Sequence, residues 1–513
     1  MSVVSKIYRI YSGKRLKVLD ENRVDPWRFQ QEWFEKIIAA GSETIFGKEH
    51  NIKPGTTIEQ FQSRVPLRDY DKSEEWINRS RMGEEDLLWP GTTHWYAKSS
   101  GTSSSKSKFI PITDESLQLC HYEGMQNMLA TYLNNYPDSR LLEGMALTLG
   151  GSARIDETGT GKSQYGDLSA ILLKNSPMLA EFRRTPPARI ALISDFETKV
   201  NEICKVSSKE NVTSISGVPS WNLILLNAIL DYNRKENLLD IWPNLELFMH
   251  GGISFEPYRK EYQRIIPSDK MRYMENYNAS EGYFAFQDDP SDKSMLLMTN
   301  GGIFYEFIPM DRYEEAMNGT FTSFDTVASV KTGVNYAMVI TTNGGLWRYL
   351  IGDSVEFTSL RPHKLRITGR TQLFINAFGE ELMIGNAEKA FTAACEKENC
   401  SADNFTVAPL FMEGGSKGAH QWLIEFSNPP ADAERFADVL DKEICLVNSD
   451  YEAKRANNIT MTRLVLKPLK PGTFYSWLRD KGKLGGQHKV PRLSNNRNFA
   501  EELLEINEKN QEE

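Results

Sequence analysis

The feature that most constrains this sequence is a run of very small side chains between Tyr96 and Thr113. Ser99 to Ser105 is a row of seven hydroxyl-bearing or glycine residues, and Lys106 and Lys108 follow. Such a segment cannot bury itself, so its backbone N–H groups and hydroxyls remain available as donors and the lysines add positive charge. This composition is typical of a loop that wraps phosphate oxygens, and equally of a flexible Ser-rich surface loop.

The run is not a Walker loop, which requires a glycine, four further residues and then Gly-Lys-Ser/Thr. Gly161-Lys162-Ser163 comes closer, but Asp156 occupies its first glycine position. A carboxylate there would repel a phosphate. We therefore interpret residues 156–166 as a polar turn.

Length and charge exclude several classes of protein. A chain of 513 residues exceeds what one hydrophobic core usually serves, so at least two domains are expected. The net charge of −9 argues against a nucleic-acid partner, which requires basic surface. We also expect no membrane partner, because no apolar run approaches the length of a span and the N-terminus lacks the apolar region of a signal peptide.

The cysteines point to a reducing compartment. They are few and odd in number, and their spacing suggests no zinc site. A cytoplasmic location is therefore predicted. The five are Cys120, Cys204, Cys395, Cys400 and Cys445.

The apolar pattern predicts an α/β fold, with β-sheets flanked by helices in a large N-terminal domain. Helical periodicity marks residues 1–50, the segment around Trp76, a helix capped by Thr113, and a helix beginning at Pro219. Short apolar runs predict buried strands, namely Met145–Leu149, Arg189–Ile193 and Leu245–Met249.

The second half of the chain predicts a hairpin and then a smaller domain. Asn343-Gly344 is a turn signal between Tyr336–Thr342 and Leu346–Ile351. Leu365–Thr368 predicts the last strand of the large domain, residues 1–368, and a compact α+β domain, residues 369–513, is expected to follow. Its predicted helices contain Ala387–Cys395 and Phe436–Val447, and its predicted strands are Phe405–Phe411, Gln421–Phe426 and Thr462–Leu466.

Four short segments could carry chemistry, and each also has an ordinary structural explanation. Glycines after a strand, as in His250-Gly251-Gly252, let a flat ligand approach the backbone or simply serve a turn. Single glutamates and lysines are usually surface charges, and an aspartate after a glycine often belongs to a turn. The other three segments are Asn276-Tyr277-Asn278-Ala279-Ser280-Glu281, Tyr349-Leu350-Ile351-Gly352-Asp353 and Gln487-His488-Lys489-Val490-Pro491-Arg492.

The Ser-rich run, Ser99-Ser100-Gly101-Thr102-Ser103 followed by Lys108, and the last three of these segments resemble the motifs of the Gretchen Hagen acyl acid amido synthetases. These are the auxin- and jasmonate-conjugating enzymes of plants and their bacterial relatives. That family belongs to the adenylate-forming superfamily with acyl-CoA ligases and firefly luciferase. Four motifs occur in the family's order, and the resemblance extends from Val65 to Arg492. On this basis the chain is identified as a bacterial-type member, with a mobile C-terminal domain acting as a lid.

The resemblance implies a role for each motif residue. Lys108 and Lys489 are the expected catalytic lysines; Lys489 acts from the lid by neutralising charge on the α-phosphate and carboxylate. Glu281 is the expected Mg²⁺ ligand. The other expected ATP-binding residues are Ser99, Ser100, Gly101, Thr102 and Ser103 for phosphates, Gly251, Gly252 and Tyr277 around the adenine, Asn276 of the same motif as Tyr277, Ser280 for the α-phosphate, Glu281 through the metal, Asp353 for the ribose, and Arg370, which positions the lid.

The sequence departs from the family's pattern at three places. Ser105 stands where the first motif usually has glycine, which either weakens triphosphate binding or is tolerated. His488 replaces an aromatic residue of the terminal motif. The hinge aligns through Gly369-Arg370, Ile375, Gly379, Glu380 and Glu388, but its usual charged residue maps near Gln372.

The implied reaction has two halves. A carboxylic acid attacks the α-phosphorus of Mg·ATP to give an acyl-adenylate and pyrophosphate, and the acyl group then passes to an amine, expected to be that of an amino acid, with release of AMP. Two alternatives remain: an acyl-CoA ligase, which the terminal motif disfavours, and a nucleotide-binding protein without catalysis, which Ser105 keeps open. The acid and the amine are not specified, although the acyl pocket is expected near Leu168–Leu173 and Trp221. Oligomeric state is not predicted.

Overall fold

The computed structural model describes residues 3–99, 108–151, 153–155, 163–193, 195–371, 374–412, 417–456, 460–481 and 491–509. Several predicted site positions lie outside the described residues. They are Ser100, Gly101, Thr102, Ser103 and Lys489, together with Ser105, Gln372 and His488.

The N-terminal part is helical, as predicted. Asp25 caps the second helix by accepting from the Arg28 N–H, and Pro26 occupies its first position, where a missing N–H is harmless. Thr57 and Gln60 form a capping box at the fourth helix. The helices are α1 (Val3–Val24), α2 (Pro26–Ser42), α3 (Ile45–Glu49), α4 (Ile58–Arg64) and α5 (Tyr70–Arg81).

The Ser-rich run lies between two antiparallel strands, β1 (Trp95–Ser99) and β2 (Lys108–Ile112). Ser99 is directly opposite Lys108, so the two ends of the run are hydrogen-bonded neighbours. The strands belong to a four-stranded sheet of order β2-β1-β5-β4, where β4 is Ala153–Ile155 and β5 is Gln164–Gly166.

The helix predicted after Thr113 is confirmed, with one irregularity. The Thr113 hydroxyl accepts from the Ser116 N–H and caps α6 (Asp114–Ser116). The helix continues through a π-helical turn, Leu117–Tyr122, into α7 (Glu123–Asn135). Such turns inside α-helices often occur at functional sites.

A twelve-stranded mixed sheet forms the centre of the described structure, in the order β13-β12-β14-β15-β16-β11-β10-β9-β8-β7-β3-β6. From β6 to β9 neighbouring strands are parallel, and from β9 to β13 they are antiparallel. The strands are β3 (Met145–Thr148), β6 (Arg184–Thr185), β7 (Val212–Gly217), β8 (Leu247–His250), β9 (Arg272–Ala279), β10 (Gly282–Phe286), β11 (Met295–Leu297), β12 (Ile303–Pro309), β13 (Asp325–Thr326), β14 (Asn335–Thr342), β15 (Tyr349–Leu360) and β16 (His363–Arg370).

Helices alternate with these strands, which confirms the α/β fold. They are α8 (Leu168–Lys174), α9 (Met178–Glu181), α10 (Ala188–Ala191), α11 (Phe196–Ser207), α12 (Pro219–Asn233), α13 (Arg259–Ile265) and α14 (Tyr313–Met317).

Two predictions in this region were wrong in detail. Arg189–Ile193 is not a strand: its first three residues belong to α10, which ends at Ala191. A short apolar run does not distinguish helix from strand by periodicity. The hairpin around Asn343 forms, but its second strand begins at Tyr349 rather than Leu346. Gly345 and Arg348 adopt positive φ angles of 87° and 44°, which lengthens the turn.

The C-terminal part is the predicted smaller α+β unit. A sheet of order β19-β20-β21 packs with helices on it, and the last strand lies three residues beyond the predicted Thr462–Leu466. Its elements are β17 (Phe374–Ile375), β18 (Leu382–Met383), α15 (Ile384–Lys397), β19 (Ser401–Leu410), β20 (Ala419–Asn428), α16 (Ala433–Val447), α17 (Ser449–Arg455), β21 (Val465–Leu469), α18 (Thr473–Asp480) and α19 (Asn498–Lys509).

The apolar core crosses from the large part to the small one. One buried cluster contains Leu225 of α12 together with Phe378 and Phe436 of the C-terminal part. All five cysteines are unpaired thiols. Among the described residues, no helix is both long and apolar enough to cross a membrane.

Candidate active site

A charged network lies where β15 and β16 pair. Asp353 is directly opposite Arg370 in the antiparallel ladder, and their side chains form an ion pair at 2.8 Å between Arg370 Nε and Asp353 Oδ1. Arg370 Nη2 also pairs with Glu381 Oε1 at 2.7 Å. Gly352 has a φ of 88°, a conformation that glycine adopts without steric cost, so the backbone turns just before Asp353.

Tyr277 joins this network from the second motif. Its hydroxyl donates to Asp353 Oδ2 at 2.5 Å, and its buried ring packs edge-on against Phe284. Burial, followed by the nearby Asp353 carboxylate, raises the pKa of Tyr277 well above its usual value. The hydroxyl therefore stays protonated and acts as a donor. The predicted contact of Tyr277 with adenine remains a prediction.

Burial dominates the electrostatics of the network. It raises the pKa of Asp353, an effect that Arg370 and the Tyr277 hydroxyl oppose. Burial by itself would lower the pKa of Arg370, but the Asp353 and Glu381 carboxylates reverse this and raise it above the ordinary value. The guanidinium is thus a permanent cation that keeps two carboxylates together.

Glu281 and Lys108 bring the first two motifs together. Ser280 and Glu281 form the two-residue turn between β9 and β10, because Ala279 is opposite Gly282. Burial raises the pKa of Glu281, and Lys108 opposes that effect most strongly. Burial likewise lowers the pKa of Lys108, opposed first by Glu281. Each group is therefore the main opposite charge acting on the other.

Gly251 allows two strand ends to approach closely. A Cβ atom at this position would lie 2.4 Å from the Asn276 carbonyl oxygen and 2.9 Å from its side-chain oxygen. Only glycine permits that approach. Gly252 follows with a φ of 84°, and its carbonyl accepts from the Asn376 side chain at 3.5 Å. The predicted nucleotide-binding residues Gly251, Gly252 and Asn276 are therefore neighbours.

The structure describes the flanks of the two remaining motifs. Ser99 and Lys108 bracket the Ser-rich run as paired strand residues. After Lys489, the Pro491 carbonyl accepts from the Thr406 hydroxyl at 2.6 Å and the Arg492 carbonyl accepts from the Val407 N–H at 2.9 Å. The terminal motif is thus tied to β19 of the C-terminal part.

The predicted hinge residues have different environments. The Glu380 carboxylate is fully buried and accepts from the Ala377 and Phe378 N–H groups, and it pairs with His420 Nε2 at 2.8 Å. Glu388 forms a surface pair with Arg492. The Glu380 contacts hold the local backbone in place, and the Glu388 pair joins two surface residues of the C-terminal part.

Sequence reasoning missed Glu381. It has a φ of 35° and sits beside Glu380, yet its carboxylate faces Arg370. An adjacent pair of glutamates does not indicate which of them faces a site. The only available signal was its position two residues after Gly379 in the hinge segment.

The residues of the site fit a Mg²⁺ ion that would be held mainly by the oxygens of the substrate phosphates. Among the described residues, no group of three or more His, Cys, Asp or Glu side chains could hold a metal ion. Mg²⁺ commonly uses only one or two carboxylates, with substrate phosphates and waters completing its coordination. Glu281 beside Lys108 provides such a carboxylate next to a cation suited to phosphate.

Family models match most of the chain. The GH3 family N-terminal domain matches residues 15–271, the GH3 family central domain residues 296–370 and the GH3 family C-terminal domain residues 385–498.

Curated relatives cover nearly the whole sequence at low identity. Indole-3-acetic acid-amido synthetase GH3.8 of Oryza sativa subsp. indica is 22% identical, covering 93% of this chain and 90% of its own length. Jasmonoyl–L-amino acid synthetase GH3.5 of Oryza sativa subsp. japonica is 24% identical, covering 92% and 93%.

Solved structures share the fold. The acyl acid amido synthetase AtGH3.15 in complex with 2,4-DB superposes with a TM-score of 0.61 at 19% identity, over 96% of this chain and 95% of that one. A 2-hydroxyisobutyryl-CoA ligase with 2-HIB-AMP and CoA gives 0.52 at 13% identity, over 97% and 93%. With its N-terminal, central and C-terminal segments all matched in order, the chain belongs to the GH3 family.

Proposed function

We propose that this protein is an ATP-dependent acyl acid amido synthetase, which adenylates a carboxylic acid and then transfers the acyl group to an amino acid. The observation that carries the proposal is the convergence of Tyr277, Asp353 and Arg370 from separate motifs on one hydrogen-bonded network. Family membership and the names of the amido synthetases it resembles support the reaction type.

In the first half-reaction, a carboxylate oxygen attacks the α-phosphorus of ATP and the bond to the bridging oxygen of pyrophosphate breaks. Asp353 is assigned to the ribose hydroxyls, with Arg370 and Tyr277 holding its carboxylate in place. Gly251, Gly252 and Asn276 are assigned to the adenine side. Lys108 and Ser99 to Ser103 are assigned to the phosphates, where positive charge and N–H donors offset the developing negative charge.

Glu281 is assigned as the ligand of Mg²⁺, which when bound would withdraw charge from the phosphate oxygens. Ser280, in the same turn, is assigned to the α-phosphate. The close charge relation between Glu281 and Lys108 supports placing metal and phosphate together.

In the second half-reaction, the amine nitrogen attacks the acyl carbonyl, the bond to the AMP oxygen breaks and the nitrogen loses a proton. Lys489 is assigned to adenylation from the C-terminal part, residues 369–513, acting as a lid over the large part, residues 1–368. The gap between the central match ending at 370 and the C-terminal match beginning at 385 supports that division. A cytoplasmic location completes the proposal.

The deciding experiment is ATP–pyrophosphate exchange measured over a panel of aromatic and aliphatic carboxylic acids. We expect exchange that requires both an acid and Mg²⁺. Lys489→Ala should reduce the exchange rate, whereas Lys442→Ala, an exposed lysine on α16, should not. Amino acids and CoA are then added separately, and formation of amide rather than thioester identifies the acceptor.

Three outcomes would contradict parts of the proposal. Thioester formation without amide would make the protein an acyl-CoA ligase. ATP binding without exchange for any acid would indicate a nucleotide-binding protein, and Ser105→Gly would then be the first variant to test for restored exchange. Equal rates for Lys489→Ala and the wild type would remove Lys489 from its assigned role.

A further inference from the structure

Lys454 is a lysine whose ammonium lies against an aromatic ring near the candidate site. It lies on α17, is only partly buried, and makes no ion pair or side-chain hydrogen bond with any residue that the structure describes. Its ammonium instead lies over the indole of Trp221, 4.3 Å from the ring centroid. A cation–π contact of this kind leaves the ammonium N–H donors available.

Gly379 leaves room for this lysine. A Cβ atom at position 379 would lie 3.2 Å from Lys454 Cε, 3.4 Å from Lys454 Nζ and 4.0 Å from Trp221 Nε1. Its φ of 91° also disfavours any other residue. The ammonium therefore occupies a space bounded by backbone on one side and an aromatic ring on another.

The position of Lys454 is fixed relative to the nucleotide network. The Asn448 side chain caps α17 and also donates to the Glu381 carbonyl at 3.1 Å. The Glu381 carboxylate pairs with Arg370, which in turn pairs with Asp353. A chain of contacts through Glu381 thus connects α17, the helix that carries Lys454, to the proposed ribose site.

Two of the carboxylates that act on Lys454 are engaged with other partners. Burial lowers the pKa of Lys454, and the Asp450, Glu380, Asp167 and Glu381 carboxylates oppose that effect. Glu380 is paired with His420, and Glu381 with Arg370. Trp221, which the ammonium contacts, is one of the residues around which the acyl pocket is predicted, so Lys454 borders that predicted pocket.

We propose that Lys454, held over Trp221, binds the carboxylate of the incoming amino acid. This inference rests on the proposed function. The carboxylate of the acyl acid must react at the phosphates near Lys108 and Glu281, whereas the acceptor keeps an unreacted carboxylate that needs a cation elsewhere. Binding that carboxylate at Lys454 would hold the amine near the acyl carbonyl, between the acyl pocket and the ribose site.

The test separates the two half-reactions. Lys454→Met is expected to raise the amino acid KM for amide formation by at least about tenfold, the effect of losing roughly 1.4 kcal/mol of binding. Exchange without an amine should keep the wild-type acid KM. Lys454→Arg should recover much of the amino acid affinity because it restores the cation, and Lys442→Met on α16 serves as the matched control.

A second comparison tests the carboxylate itself. The wild type should prefer an amino acid over its carboxamide, and Lys454→Met should lose that preference. An unchanged preference would overturn the proposal. If Lys454→Met raised the acid KM in the exchange assay for dicarboxylic acids alone, Lys454 would belong to the acyl substrate site. That result would also overturn the proposal.

Binding can be read without turnover. Titration of the thermal midpoint with amino acid and with its carboxamide should show carboxylate-dependent stabilisation in the wild type that Lys454→Met lacks. If exchange fails with every acid, the proposed reaction fails, yet this titration still decides the role of Lys454. Equal stabilisation by both ligands would refute that role.

Discussion

Two arginine–carboxylate clusters lie within one stretch of sequence but have very different surroundings. Arg348 pairs with Glu306 at 2.9 Å, and the two side chains are 2% and 1% exposed. Arg370 pairs with Asp353 and Glu381, whose side chains are 14% and 23% exposed. Arg348 and Asp353 are only five positions apart, on either side of the Gly352 turn.

The two arginines differ in how completely protein acceptors occupy their N–H donors. Arg348 donates to both Glu306 oxygens and to the Gln62 and Val65 carbonyls, at 2.8 to 3.0 Å. That guanidinium is closed to any ligand. The Arg370 network instead reaches solvent, and the Asp353 pKa is raised by burial even beside a cation. A buried ion pair alone therefore does not mark a functional site, whereas a partly exposed network in which burial shifts the pKa of a carboxyl group does.

The largest expected effect is on stability at the closed cluster. Arg348→Met would leave the Glu306 carboxylate buried without its main partner, which typically costs about 3–5 kcal/mol. We expect a large fall in the urea midpoint of unfolding. The double variant Arg348→Met/Glu306→Gln should recover part of the loss, and Arg370→Met should cost less because its partners reach water. If Arg348→Met and Arg370→Met lowered the free energy of unfolding equally, the proposed difference between the two clusters would be wrong.

The next effect separates activity from stability at Glu281. Glu281→Gln removes the proposed metal ligand and should lower acid-dependent exchange by about 100-fold. The pKa of Glu281 is higher in the folded state than in the unfolded state. The protonated carboxyl therefore favours folding, and the wild type loses that contribution to its stability as pH rises through the folded pKa.

The variant should therefore unfold at a higher temperature than the wild type at neutral pH, in the absence of ligands. The two should converge in acid, where Glu281 is protonated. A thermal melt from pH 4 to pH 8 measures this. A variant that is less stable at every pH would show that Glu281 is structural.

Asp353 should show a smaller, binding-specific effect. Asp353→Asn removes a charged acceptor, whose hydrogen bonds contribute about 1.5–3 kcal/mol. We expect the ATP KM in exchange to rise by roughly tenfold or more, with the acid KM little changed. A change in the acid KM alone would contradict the ribose assignment.

The sequence predicted the class of fold and most strands and helices because these follow from local periodicity. Tyr277, Asp353 and Arg370 were selected because their short motifs resemble those of the amido synthetase family. The sequence did not reveal that Tyr277 donates to Asp353, since that contact joins strands that are far apart in the sheet order. Glu381 and Lys454 were missed for the same reason, as each depends on the tertiary placement of one charged residue.

The smallest expected effect is at a second ion pair on the same two strands, which has the same strand pairing but a more exposed arginine. Glu356 and Arg366 are opposite each other on β15 and β16, as Asp353 and Arg370 are, and they pair at 2.9 Å. Arg366 is 61% exposed, so its pair should contribute at most about 1 kcal/mol. Arg366→Ala should leave exchange unchanged and shift the thermal midpoint only slightly, and less in high salt. A loss of exchange comparable to that of Asp353→Asn would mean that the ladder as a whole, rather than the partly buried end near Gly352, carries the function.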